Sequence, residues 1–175
     1  MRRLSLDPFG HVTLSREGER LVADSHVKPF FPRPPLHVHA RQSERFEVAR
    51  GQLRLTVNRA ELQLGPGDAV TVPAGTPHTF AVEGANPVAL KATFEPAGRL
   101  EEFFEGLYRL VRDGHIDAAG RPRSRAVAPW ALQHLDDFRL ARVPARLQRA
   151  ALAAIAGLPG AGFEREPTAS SCAPP

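Results

Sequence analysis

Among the 175 residues there is one cysteine, Cys172, so no intramolecular disulfide can form. Lysine is nearly absent, occurring only at Lys28 and Lys91; the other basic residues are arginine, and the net charge is +4. Beside abundant Ala, Pro and Gly, that bias reads as compositional. The arginines before Glu95 are scattered among acids, whereas nucleic-acid binding needs a clustered basic face with stacking aromatics. No nucleic-acid partner is therefore expected. No apolar run approaches the ~20 residues of a membrane span. The opening Met1-Arg2-Arg3-Leu4-Ser5-Leu6-Asp7-Pro8 has charge but no apolar stretch after it, unlike a signal peptide. These absences lead us to expect a soluble cytoplasmic protein without a transmembrane segment. A hydrophobic content of 42% is enough for a core, and the length suits one domain or one domain with an extension.

Chemistry is concentrated in two stretches. In Pro35-Leu36-His37-Val38-His39, the two histidines are two apart, so on a strand both imidazoles face one side. Glu44 follows at an odd spacing and would fall on the opposite face of an unbroken strand. A bend within Ala40-Arg41-Gln42-Ser43, polar as a turn, would bring it back. Beyond it, Phe46 and Val48 share the face of Glu44, up to Gly51. The second stretch runs from Gly67-Asp68 through a short β-branched strand to Pro73-Ala74-Gly75-Thr76-Pro77-His78. His78 opens a further strand with Phe80 and Val82 on its face. A histidine on an apolar face is more often packed core than ligand. Three imidazoles and a carboxylate together, however, suit a first-row transition metal.

The pattern H-x-H-x4-E-x6-G followed by G-x5-P-x-G-x2-H closely resembles the two motifs of the cupin family. His37, His39, Glu44 and Gly51 fill the first motif, and Gly67, Pro73, Gly75 and His78 the second. Fifteen residues, Gln52 to Pro66, separate them, as in a compact microbial cupin. A glycine that often opens the first motif is replaced by Phe31, and an asparagine that often ends the second by Val82. Neither is a ligand position. The resemblance covers roughly residues 20 to 95 and implies a mainly β fold, the double-stranded β-helix or jelly-roll barrel. It also implies one divalent transition-metal ion (Fe, Mn, Ni, Zn or Cu) on His37, His39, Glu44 and His78. Cupins with such a site resemble dioxygenases, isomerases, decarboxylating enzymes and lyases, or non-catalytic sensors and storage proteins.

The remaining chain fits a barrel with an α-helical C-terminal extension. Val12–Leu14 and Leu21–Val27 read as strands around a charged turn. Leu53, Leu55 and Val57, then Leu62 and Leu64, then Val88, Leu90, Ala92 and Phe94 alternate with polar residues. The proline-rich Lys28–Pro35, which includes Phe30 and Phe31, forms either a wall of the pocket or a rigid connector. If His37 and His39 face inward, Leu36, Val38 and Ala40 face outward and want a cover, from a second subunit or from the C-terminal segment.

From Gly98 the spacing becomes helical through Leu100, Phe103, Phe104, Leu107, Leu110 and Val111, stopping at Gly114. A second helix is expected over Ala126–Leu140 and a third from Pro144 to Gly157. We divide the chain into a barrel (1–97), a helical extension (98–160) and a disordered tail (161–175). Seven arginines between Arg121 and Arg149 read as a solvated face, the alternative being an acidic partner or an anionic membrane surface. His11, His26, His115 and His134 have no ligand-like spacing and are given no role.

Functionally, the pocket-lining set Phe46, Val48, Phe80 and Val82 is apolar, which favours a small, partly apolar organic substrate and oxygenase-type chemistry. Glu44 is the candidate catalytic group. The alternative is a small-ligand-binding or sensing protein that performs no chemistry. A homodimer is expected.

Overall fold

The computed structural model describes residues 1–6, 9–29, 31–117 and 119–158; the expected tail at 161–175, and Phe30 of the proline-rich loop, lie outside them. The strands are β1 (Arg2–Leu6), β2 (Gly10–Glu17), β3 (Arg20–Val27), β4 (His37–Val38), β5 (Ser43–Arg50), β6 (Gln52–Val57), β7 (Ala60–Leu64), β8 (Ala69–Val72), β9 (His78–Glu83) and β10 (Val88–Glu95). After them come α1 (Leu100–Arg112), α2 (Val127–Gln133), β11 (Arg139–Leu140) and α3 (Ala145–Ala156). One sheet has the order β1-β2-β3-β10-β5-β8 and the other β11-β4-β9-β6-β7, and all the pairings are antiparallel. This is the mainly β, jelly-roll arrangement, with helices after it.

Alternation along the strands is what closes the two sheets on each other. Glu44, Phe46 and Val48 of β5 are buried, as are Leu53 and Leu55 of β6 and Val88, Leu90, Ala92 and Phe94 of β10. Their polar neighbours on the same strands are half-buried or exposed. The β6–β7 hairpin has the turn its residues dictate. Asn58-Arg59 joins β6 to β7 with Asn58 at φ 56°, a left-handed conformation that asparagine tolerates better than most side chains.

Two expectations need correction. First, Arg2–Leu6, given no structure from the sequence, adds a strand beside β2. Second, the helix expected over Ala126–Leu140 ends at Gln133. Asp136 and Asp137 are poor residues for a helix C-terminus, and the chain instead turns so that Arg139–Leu140 pair with β4. The cover that Val38 wants is present within the single chain: Val38 is 4% exposed, and Arg139 of the C-terminal segment pairs with it. The first and third helices lie where expected, with Gly114 (φ 75°) after α1, and Pro144 and Gly157 flanking α3.

One apolar cluster joins the barrel to the helices. It combines Val12, Leu14, Leu21, Ala23, Ala92 and Phe94 with Leu100, Phe103, Leu110, Val127 and Trp130. Gly106 lets α1 and α2 approach, because a Cβ there would lie 2.3 Å from the Trp130 Nε1. No helix among the described residues is long and apolar enough to cross a membrane. Leu110 is fully buried, so Leu110→Ala should cost about 2–5 kcal/mol of stability in chemical denaturation. A loss below about 1 kcal/mol would mark the helices as an appendage that does not share the barrel's core.

Candidate metal centre

The first motif runs from β4 in one sheet to β5 in the other, and the second runs from β8 back to β9. The bend required between His39 and Glu44 is this crossing: the strand stops after Val38 and resumes at Ser43 in the opposite sheet. The two crossings are tied together where the Gly75 N–H donates to the His39 carbonyl at 2.8 Å. His37 and His78 are cross-strand partners, while Glu44 sits between Phe94 of β10 and Val72 of β8. The four side chains foreseen as ligands therefore converge. Each offers a donor atom, and all these atoms lie within 4.8 Å of one another. All four residues are at most 5% exposed.

The orientation of the imidazoles decides what the cluster can do. The Nδ1 of His37 lies 2.9 Å from the Pro35 carbonyl, that of His39 2.5 Å from the Asp137 carbonyl, and that of His78 2.8 Å from the Thr76 carbonyl. A carbonyl can only accept, so each Nδ1 carries the proton and donates. Every neutral ring then turns an Nε2 lone pair inward. There the Glu44 Oε2 is 2.7 Å from the Nε2 of His78 and 3.2 Å from that of His39. Three lone pairs facing a carboxylate repel one another unless a cation, a proton or a metal ion, lies between them. This donor set fits a metal.

The titration of the groups follows from that geometry. Burial first, then the neighbouring His78 and His39, lowers the His37 pKa to about 3. For Glu44, burial raises the pKa, but where a proton rather than a metal ion lies between rings and carboxylate, the hydrogen bonds that His39 and His78 then donate prevail and hold it at about 2. For His78, burial opposes protonation, but the Glu44 carboxylate prevails and raises the pKa.

Around the cluster the surroundings are aromatic. Phe138 stacks on His37 at 4.4 Å and 19°, Phe94 meets His39 edge-on at 5.4 Å, and Phe46 meets His78 edge-on at 6.1 Å. Phe80 packs on Phe46, and Phe31 stacks on Phe80 at 6.1 Å. Val48 and Val82 lie two residues further along their strands in the same apolar cluster. The proline-rich loop lies against β9 and β6, with the Thr79 hydroxyl donating to the Pro34 carbonyl and Arg33 donating to Thr56 and Thr79. A groove of about 580 Å³ beside this loop is lined by Arg33, Thr56, Arg59 and Arg142 among others, and none of the four cluster residues lines it.

Sequence reasoning missed Gln42, Asp137 and Phe138. No spacing rule links Asp137 to a histidine 98 positions away. Of the arginines read as a solvated face, Arg121 and Arg123 pair with Asp117, and Arg149 pairs with Asp136, at the surface.

The profile of the cupin domain matches residues 25–94, which hold all four cluster residues. Residues 25–94 are a cupin domain. Among solved structures, KdgF from Halomonas sp. superposes with a TM-score of 0.51 at 16% identity, covering 58% of this chain and 93% of that one. An RmlC-like cupin from Shewanella frigidimarina gives 0.50 at 19%, covering 57% and 87%. Both likenesses are of fold. The probable oxidoreductase virH of Hypocrea virens is 33% identical over 102 residues, covering 53% of this chain and 47% of that one. The oxidoreductase OpS7 of Beauveria bassiana is 41% identical over 51 residues, 29% of this chain and 17% of that one. The chain thus spans less than half the length of either curated relative.

A pH dependence follows for the metal-free cupin. Below pH 6.5 the unfolded chain protonates His37, whereas the folded protein resists until about 3, so stability falls as the pH drops through that window. Glu44 adds to the fall between 4.5 and about 2. His78, with its raised pKa, contributes stability that is complete below 6.5 and is lost only as the pH rises through its folded pKa. Denaturation of chelator-treated protein should show the midpoint falling between about pH 6.5 and pH 5, and His37→Gln should flatten that fall.

Proposed function

We propose that this cupin is a mononuclear metal-dependent enzyme of oxygenase type, acting on a small, partly apolar organic substrate. The observation that carries the reading is the set of three inward Nε2 lone pairs around Glu44, each fixed by a carbonyl on its other nitrogen. His37, His39, Glu44 and His78 would hold one divalent ion, and such an ion with open positions can activate dioxygen, polarise a carbonyl or enediol, or acidify bound water. Similarity to two proteins named oxidoreductases supports redox chemistry over the other activities of the fold.

The protein's own side chains set the rest. Glu44 is the one anion of the set, so with a divalent ion the site keeps a charge of about +1 and favours an anionic oxygen donor such as an enolate or carboxylate. Phe46 and Phe138 pack against the imidazoles and Phe80 packs on Phe46, an apolar surrounding that would suit a partly apolar substrate. Glu44 touches the Nε2 atoms of His39 and His78 and is the candidate catalytic group through its charge. Cytoplasmic location and a homodimer belong to the same proposal. Leu140, Val143, Leu147, Ile155 and Leu158, all exposed, are the surface through which a second copy would pack.

Purified protein should carry about one transition-metal ion per chain, and His78→Ala should lose most of it. Full occupancy in that variant would remove His78 from the site. Catalysis is tested by incubating metal-loaded protein in air with ligands found by thermal shift, followed by mass spectrometry. We expect oxidised product, with Glu44→Gln slowing turnover by about 10–100-fold. Quantitative recovery of unchanged ligand across several hits and metals would favour the sensing protein instead.

A further inference from the structure

The three imidazoles are not held in the same way. His37 and His78 donate to Pro35 and Thr76, each two residues back along its own segment. His39 donates instead to Asp137, in the helical part of the chain and beyond the matched cupin segment. We propose that Asp137 is a positioning residue for His39, so that the C-terminal segment completes the metal centre. The inference rests on the metal reading above.

The carbonyl of Asp137 is held in place by its own side chain. Asp137 is 5% exposed, and its Oδ1 accepts from the Gln42 Nε2 at 2.7 Å and from the Arg99 backbone N–H at 3.3 Å. Gln42 is itself 2% exposed and lies in the crossing between His39 and Glu44, so this bond ties the turn carrying the ligands to the turn carrying their support. The space is shaped for it. Gly98 sits at φ 54°, and a Cβ there would lie 2.3 Å from the Gln42 Nε2 and 2.6 Å from the Asp137 Oδ1.

Backbone bonds set the angle of the turn. The N–H groups of Asp137 and Phe138 both donate to the His134 carbonyl, at 3.0 and 2.8 Å, and Arg139 then pairs with Val38 beside the first ligand. Phe138, fixed by this turn, stacks between His37 and Phe103. Removing the Asp137 side chain leaves its carbonyl in the chain but unties it from Gln42 and Arg99. The His39 ring then loses the partner that keeps its proton on Nδ1 and its lone pair inward.

The test compares wild type, Asp137→Ala and Asp137→Asn, whose Oδ1 can still accept from Gln42 and Arg99. Co²⁺ affinity is read by chelator competition, and the imidazole ¹⁵N–¹H spectrum is read on the metal-free protein. Asp137→Ala should bind Co²⁺ about 10–100-fold more weakly and lose the Nδ1–H signature of His39, while Asp137→Asn stays near wild type on both. A folded Asp137→Ala with unchanged affinity and an unchanged His39 spectrum would overturn the proposal. Should that variant fail to fold, Gln42→Met decides on the same two readouts, with weaker binding and a shifted His39 signal supporting the role and no change refuting it. If wild type binds no Co²⁺, the metal reading falls, and the spectrum alone then decides whether Asp137 orients His39.

Discussion

Three hydrogen bonds to backbone carbonyls govern this molecule. Because a carbonyl cannot donate, each fixes a proton on Nδ1 and leaves a lone pair on Nε2. Burial then does the rest. In that buried cluster the inward lone pairs and the Glu44 carboxylate face one another, an arrangement that a cation between them would satisfy. The aromatic lining reinforces that preference, since Phe46, Phe94 and Phe138 cannot solvate an anion or accept a proton.

The fold exists to bring those four donors to one place. His37 and His78 come from neighbouring strands of one sheet, Glu44 comes from the facing sheet, and His39 lies in the crossing between them. Each crossing is short and is held by backbone bonds, so the donors are set by the barrel rather than by mobile loops. The helices bury Leu100, Phe103 and Leu110 in the same cluster as barrel strands β2, β3 and β10, and from there the chain returns to β4. Packing of the helices and geometry of the site are therefore coupled.

Much of this was legible in the residues. Alternation predicted the buried faces of β5, β6 and β10, and the odd spacing from His39 to Glu44 required the break that the sheet crossing provides. Gly98 and Gly114 bounded α1 correctly because helical periodicity and stop residues act locally. What stayed hidden depends on distant parts of the chain. Asp136-Asp137-Phe138 continued a helical spacing, yet tertiary bonds to His39, Gln42 and β4 draw that stretch out of the helix. The strand at Arg2–Leu6 was equally unreadable, since it is defined by pairing with β2 rather than by any pattern of its own. For Val38, parity assigned an outer face in want of a cover but could not say which of a second subunit or the C-terminal segment supplies it; Arg139 pairs there.

The central claim is that one ion sits among three Nε2 atoms and one carboxylate. X-ray absorption at the metal edge of the loaded protein tests it most directly. The account predicts nitrogen and oxygen neighbours at about 2.0–2.2 Å, with outer scattering from about three imidazoles. A spectrum without imidazole scattering, or one dominated by oxygen neighbours alone, would contradict it.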